Sequence, residues 1–299
     1  MNTIRVLLLL LCAAVQNSIA QLNYPAAFQK PNSRSEKPKM KAWFCDGTTQ
    51  RNLVEHLRQA QIVKSAAVQA VMEAVDRRNY VPDSYSRNPY ADSPQSIPKG
   101  QTISAPHMHS YALEEVLPNL LKRQKDLLAA GNTTQPIKLL DIGCGSGYLT
   151  ACFGRWFQPL PGSDPTFRVP GRVFGMDIHK ELVDMTRKNI AKEDSDLLKD
   201  GIVKLRVGNG WQGWKEEAPF DAIHVGAAAS SVPMELVGQL LAPHGVLIVP
   251  VGAESSVQHL LKIERVAESP EFSVKDFTVK DLLQVRYVPL VNGPSQLKP

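Results

Sequence analysis

Leu139-Leu140-Asp141-Ile142-Gly143-Cys144-Gly145-Ser146-Gly147 is the stretch on which the fold turns. From Ile137 to Ile142 the run is apolar apart from Lys138 and Asp141, as in a short buried strand. Glycine then alternates with small residues, which permits a tight turn and lets a ligand lie close to the backbone. Tyr148 to Phe157 reads as a helix, so the loop joins a strand to a helix. A glycine cluster in that context is far more telling than one in an ordinary turn.

Outward from the loop, strands and helices alternate. Arg172–Met176 is a second strand, followed by a helix carrying Leu182, Val183, Met185 and Ile190. Ile202–Val207 and Phe220–Val225 are the third and fourth strands, with a helix expected around Pro233 to Leu241. Val246–Val251 is the fifth, and His259–Val266 and Leu282–Val291 are two further candidates. Such alternation predicts an α/β protein with a doubly wound, mostly parallel sheet. Upstream, Asn52 to Arg78 reads as two helices broken between Gln61 and Ser65, with Ser65 as the cap of the second. The segment from Asn79 to Pro106 is rich in Pro, Ser, Tyr and Gly and lacks periodicity, which in a compact domain suggests a functional loop. A helix from about His109 to Lys122 follows.

Asp177 closes the second strand. A carboxylate there can accept hydrogen bonds from both hydroxyls of an adenosine ribose, or cap the next helix, or do both. The glycines at 143, 145 and 147 form G-x-G-x-G, with Tyr148 where a pyrophosphate-binding G-x-G-x-x-G loop would place a later glycine. Asp141 directly before the loop also suits a cationic ligand better than a pyrophosphate. It could hold a methionine ammonium, directly or through water. S-adenosyl-L-methionine therefore fits better than a dinucleotide.

The composition agrees with a soluble globular protein, at 43% hydrophobic and 21% charged residues over 299 positions. The net charge of +5 gathers in residues 1–40, and the rest of the chain holds 29 basic and 28 acidic residues. No global field attracts a polyanion, so nucleic acid is not expected as a partner. Residues 1–20 have the charged start, apolar run and small Ser18 and Ala20 of a signal peptide, and the run is too short for a membrane span. Residues 21–41 read as a disordered linker, and 42–299 as the folded domain, divided into 42–135 and 136–299. Cys45, Cys144 and Cys152 would remain after loss of Cys12, an odd count suited to a reducing compartment. No spacing of ligands suggests a metal. The cytoplasm is the expected location, with the secretory pathway as the alternative if the leader is used.

Two longer stretches go further. Asn88-Pro89-Tyr90-Ala91-Asp92-Ser93-Pro94-Gln95-Ser96-Ile97 and Gln101-Thr102-Ile103-Ser104-Ala105-Pro106-His107-Met108-His109 precede the sheet. With Glu217 to Ala229 and Tyr287-Val288-Pro289-Leu290, they closely resemble the protein-L-isoaspartate O-methyltransferase family over about residues 42–291. Met40-Lys41-Ala42-Trp43 is similar to that family's usual beginning, which makes Met40 an alternative start.

The resemblance implies a seven-stranded Rossmann-like methyltransferase sheet with an N-terminal helical segment. It also implies methyl transfer from S-adenosyl-L-methionine to the free α-carboxylate of L-isoaspartyl residues in damaged proteins and peptides. Repair then proceeds through a succinimide. Ser104 is implied as the active-site residue that hydrogen-bonds the substrate carboxylate. Thr102, Ile103, Ser104, His109, Asp141, Gly143, Gly145, Gly147, Asp177, Asn209 and Gly210 are implied near the cofactor. Asn209 departs from the family's aspartate, and Val291 stands where a cofactor-side threonine would fall and is not counted. No interface signature is visible, so a monomer without stable membrane association is expected. A hydrolase built on Ser104 with His107 or His109 lacks the G-x-S-x-G elbow. A non-catalytic adaptor or sensor binding the same cofactor is the remaining alternative.

Overall fold

A computed structural model describes residues 45–82, 84, 88–241, 243–254, 256–267 and 276–293. The expected leader at 1–20, the linker at 21–41 and the alternative start at Met40 lie outside them.

The central sheet comprises β3 (Ile137–Ile142), β4 (Gly171–Asp177), β5 (Val203–Val207), β6 (Ala222–Val225), β7 (Val246–Val251), β8 (Gln258–Arg265) and β9 (Phe277–Val285). Its order is β5-β4-β3-β6-β7-β8-β9, parallel through β7 and antiparallel from β7 to β9. The seven strands and their mostly parallel pairing match the expectation.

The parallel strands are apolar because both faces are covered. On β3, Ile137 and Leu139 join one core, while Leu140 and Ile142 join the other. Val173, Ala222, Val246 and Ile248 extend the first, and Phe174, Met176, Ile223, Val225, Leu247 and Val249 the second. Each fully buried Val, Leu, Ile, Phe or Met among them stabilises by about 1.5–3 kcal/mol. The winding reverses between β3 and β6, and ligands in sheets of this kind bind beyond the strand ends at such a reversal.

The first core also receives the N-terminal helices. α1 (Gln50–Gln59) buries Leu53, Val54 and Leu57, and α2 (Ala66–Ala74) buries Val68, Val71 and Met72. The expected break is present, with Gln61 at φ 58° and the Ser65 hydroxyl accepting from the Val68 amide at 3.2 Å. The stretch expected as a loop contains a small hairpin, β1 (Gln95–Ile97) and β2 (Gln101–Ile103), paired from Gln95↔Ile103 to Ile97↔Gln101. Strands of three residues are too short to show a period.

α3 (Pro106–Ala129) is longer than expected at both ends. Proline suits its first turn, where the missing N–H has no intrahelical partner to lose. α4 (Tyr148–Arg155), α5 (Lys180–Glu193) and α6 (Ser195–Lys199) flank the first strands. The helix expected near 233–241 is one turn, α7 (Met234–Val237). The last strand starts and ends earlier than expected, and residues 286–293 leave the sheet.

An ionic knot around the buried Arg155 and Asp194 joins the N-terminal segment to the helices that follow β3 and β4. Arg155 on α4 bonds Asp194 at 2.8 Å and Asp196 at 2.6 Å, and the Tyr80 hydroxyl donates to Asp194 at 2.5 Å. The N-terminal segment is thereby fixed to the C-terminal ends of α4 and α5.

Candidate active site

A cavity of about 480 Å³ opens at the carboxyl ends of β3, β4 and β6. Gly143 and Gly145 form its floor, Asp177, Ile178 and His179 one side, and Gly208 and Gly210 another. The turn of the β1–β2 hairpin closes it through Lys99, Gly100, Gln101 and Thr102. Residues 288–291 close the opposite side, held by the Ala228 amide on the Val288 carbonyl (2.8 Å) and the Leu290 amide on the Ala228 carbonyl (2.7 Å). Trp211 Nε1 also donates to the Leu290 carbonyl at 2.8 Å.

Gly143 (φ 72°) and Gly145 (φ 54°) occupy the left-handed region that favours glycine. The Gly143 and Cys144 amides donate to the Met176 carbonyl at 2.8 and 3.1 Å, and the Gly147 amide to the Cys144 carbonyl at 2.8 Å. The Gly145 amide donates to Asp177 Oδ2 at 3.2 Å. Four amides of the loop are thus engaged within the protein, which removes the cradle a pyrophosphate would need. Asp177 also accepts from the His179 amide at 3.0 Å, so it caps the turn into α5 while facing the cavity. Burial pushes its carboxyl upward, against the lowering effect of the His179 and Gly145 amides.

The remaining predicted residues take varied places. Thr102, Gly143, Gly145, Asp177 and Gly210 line the cavity together, as does Val291. Gly210 has no room for a side chain, since a Cβ would lie 2.6 Å from Ile142 and 2.9 Å from Leu290. Gly147 starts α4 rather than lining the cavity. Asn209 caps the following turn by accepting from the Trp211 amide at 3.0 Å, and its Nδ2 donates to Asn292 Oδ1 at 2.9 Å. It ties the Gly208–Gly210 wall to the C-terminal wall.

Asp141 is 2% exposed and does not line the cavity; its oxygens meet His224 Nδ1 at 2.9 Å and the Thr150 hydroxyl at 2.5 Å. Ile103 is buried in the first core. Ser104 is half-buried between β2 and α3, beside the Tyr287 phenol. Burial pushes that phenol up to about 12, and the neighbouring Ser104 side chain acts in the opposite direction. His109 is buried on α3, its ring 5.0 Å from that of Tyr148. Desolvation, then the nearby Arg77 charge, hold His109 well below its ordinary value and therefore neutral.

Sequence reasoning passed over Lys99, Arg77 and His224. Lys99, on the cavity wall, has φ 64° and pairs with Glu181 at 2.9 Å, which no period or motif announces. Arg77 falls inside the Asn52–Arg78 stretch read as helical, where no motif singles it out. His224 stood inside a quoted motif without a role of its own. Among the described residues no group of three or more His, Cys, Asp or Glu could hold a metal.

S-adenosyl-L-methionine fits these residues. A carboxylate at the end of β4 suits ribose hydroxyls, and the engaged loop amides disfavour a phosphate. The sheet and this cavity together define a Rossmann-like, S-adenosyl-L-methionine-dependent methyltransferase. The family model for protein-L-isoaspartate (D-aspartate) O-methyltransferase matches residues 48–295. The chain belongs to that family.

Relatives support the same placement. A Triticum aestivum protein-L-isoaspartate O-methyltransferase is 38% identical, covering 87% of this chain and 99% of its own. Arabidopsis thaliana protein-L-isoaspartate O-methyltransferase 1 is 40% identical over the same shares. A Caenorhabditis elegans relative of that name is 34% identical over 85% of this chain and 98% of its own. A Plasmodium falciparum family member, crystallised in complex with S-adenosyl-L-homocysteine, superposes with a TM-score of 0.65. It is 31% identical, over 82% of this chain and 99% of its own.

Proposed function

We propose that this chain methylates the free α-carboxylate of L-isoaspartyl residues in damaged proteins and peptides, starting their repair through a succinimide. The observation that carries the reading is the position of Ser104. It lies between a hairpin that closes the cofactor cavity and the helix that opens with Pro106. A carboxylate bound there lies beside the cavity without needing a base. With an ordinary pKa of about 3.9 the acceptor is already ionised at neutral pH. The work left to the protein is alignment and exclusion of water.

When bound, the cofactor supplies a methyl group activated on a sulfonium. Asp177 accepts the ribose hydroxyls, Gly143 and Gly145 give close backbone approach, and Thr102 and Gly210 complete the walls. Ile103, His109, Asp141, Gly147 and Asn209 act by fixing those walls. Ser104 donates its hydroxyl to the substrate carboxylate and orients one oxygen toward the methyl. Lone-pair electrons of that oxygen form the new C–O bond as the S–C bond breaks, leaving S-adenosyl-L-homocysteine and a methyl ester.

The partners of this reading are isoaspartyl proteins and peptides, met by a monomer in the cytoplasm. Cys45, Cys144 and Cys152 are all buried and unpaired, which supports a reducing compartment. No helix among the described residues is long and apolar enough to cross a membrane.

The test is methyl transfer from labelled S-adenosyl-L-methionine to matched peptides holding L-isoaspartate or L-aspartate. Labelling of the isoaspartyl peptide alone is expected. Cofactor binding with neither peptide labelled would overturn the reading in favour of a non-catalytic binder.

A further inference from the structure

Arg77 follows α2 in a turn of 3₁₀ helix, Arg77–Tyr80, and is 0% exposed. Its backbone amide donates to Gln50 Oε1 at 3.1 Å. The guanidinium Nε donates to the Pro89 carbonyl at 3.1 Å, and Nη2 donates to the Ser104 carbonyl at 2.9 Å. Nη1 stands 3.4 Å from His109 Nδ1, and the group lies over the Tyr148 ring at 5.7 Å. Arginine has only donors, so neutral His109 is the acceptor in that contact.

Every one of these partners is neutral. Among the described residues no carboxylate forms an ion pair with Arg77, and Asp92 acts on it only through space. Burial lowers the guanidinium to about 10, which leaves it charged at neutral pH. A buried cation without a counter-ion is expensive to desolvate, and neutral donors could make the same contacts more cheaply. The anionic group that the proposed reaction brings to this place is the isoaspartyl carboxylate, and Ser104 is the residue that Arg77 holds.

We infer that Arg77 is a positioning residue for the acceptor. Its charge and its hydrogen bond fix the Ser104 backbone and supply the missing countercharge for the carboxylate that docks there. The inference rests on the reading of the preceding subsection. It assigns the acceptor's negative charge a partner inside the protein, separate from the groups that face the cofactor.

The test measures peptide KM, kcat and S-adenosyl-L-homocysteine affinity in the full chain carrying Arg77→Met or Arg77→Lys. Arg77→Met is expected to raise KM for the isoaspartyl peptide at least tenfold while the homocysteine product binds within about threefold of wild type. Arg77→Lys keeps a charge and is expected to recover most of that loss near neutral pH. A buried lysine has a lowered pKa. KM of Arg77→Lys should therefore climb as pH rises through that pKa, while KM of the wild type stays flat. This profile serves as the deciding measurement should the neutral variant fail to fold. Equal impairment of both variants with no pH dependence would make Arg77 a scaffold residue and overturn the inference. A wild-type chain that labels no isoaspartyl peptide would instead overturn the proposed function itself.

Discussion

Asp141 and His224 face each other across neighbouring parallel strands, Oδ1 and Nδ1 2.9 Å apart, at paired positions of β3 and β6. The other Asp141 oxygen takes the Thr150 hydroxyl, so the carboxylate ties β3, β6 and α4 together beneath the glycine loop. Its influence on the cavity passes through those strands. Asp141→Asn should destabilise the fold by about 1–3 kcal/mol, the cost of leaving a buried partner imperfectly bonded. Urea unfolding measures this. A larger loss of S-adenosyl-L-homocysteine affinity than of stability would show that Asp141 meets the ligand directly.

Asp177 is a charged acceptor that lines the cavity at the end of β4. Asp177→Asn keeps the shape but weakens charge-assisted bonds to hydroxyls, so affinity for S-adenosyl-L-homocysteine should fall about 10- to 100-fold, or about 1.4–2.7 kcal/mol. Calorimetric titration checks it, with unfolding followed in parallel because two loop amides also depend on this side chain.

Gly147 stands at φ 90°, and a Cβ there would come within 2.7 Å of Thr186 Cγ2 on α5. Gly147→Ala therefore combines backbone strain with a clash between helices, and should destabilise by about 2–4 kcal/mol. Chemical denaturation of the variant would give the figure. A change below about 0.5 kcal/mol would mean that α4 and α5 separate with ease.

Asp221, at 5% exposure, is pushed by burial to about 6, against the lowering effects of the Lys138 amide and Arg123. The folded state therefore holds a proton that the unfolded chain has released. The stability this group contributes is fully present below about pH 4 and is lost as pH rises through about 6, by about 3 kcal/mol at most. Asp221→Asn removes the titration. Between pH 4 and 7 the stability difference should move in favour of the variant, as urea unfolding at each pH would register. Parallel curves for the two proteins would refute the assignment.

The legible parts of the sequence were those set by local chemistry. A two-sided buried strand must be apolar, so β3, β4, β6 and β7 were readable. The break before Ser65 was visible because a capping hydroxyl precedes an apolar period. The short hairpin was missed because three residues carry no period, and α7 was overestimated because its apolar residues serve packing on the sheet rather than a long helix. Within the site, Asp177 and the glycines were legible because backbone conformation restricts residue type. The tie from Asn209 to Asn292 was not, since it joins positions far apart in the chain. Arg77 was invisible for a related reason: its burial depends on Pro89, Ser104 and Tyr148 converging from three separate segments.

The wall formed by residues 288–291 sets the order in which this protein can become competent. Strands β3 to β7 precede that wall in the chain, yet the ligand chamber lacks one side until residues 288–291 have folded back beside Ala228. Nascent chains stalled before Val288 should release S-adenosyl-L-homocysteine that longer ones retain. Competence thus waits on synthesis of residues 288–291, so a copy that stops short of them would not sequester the methyl donor.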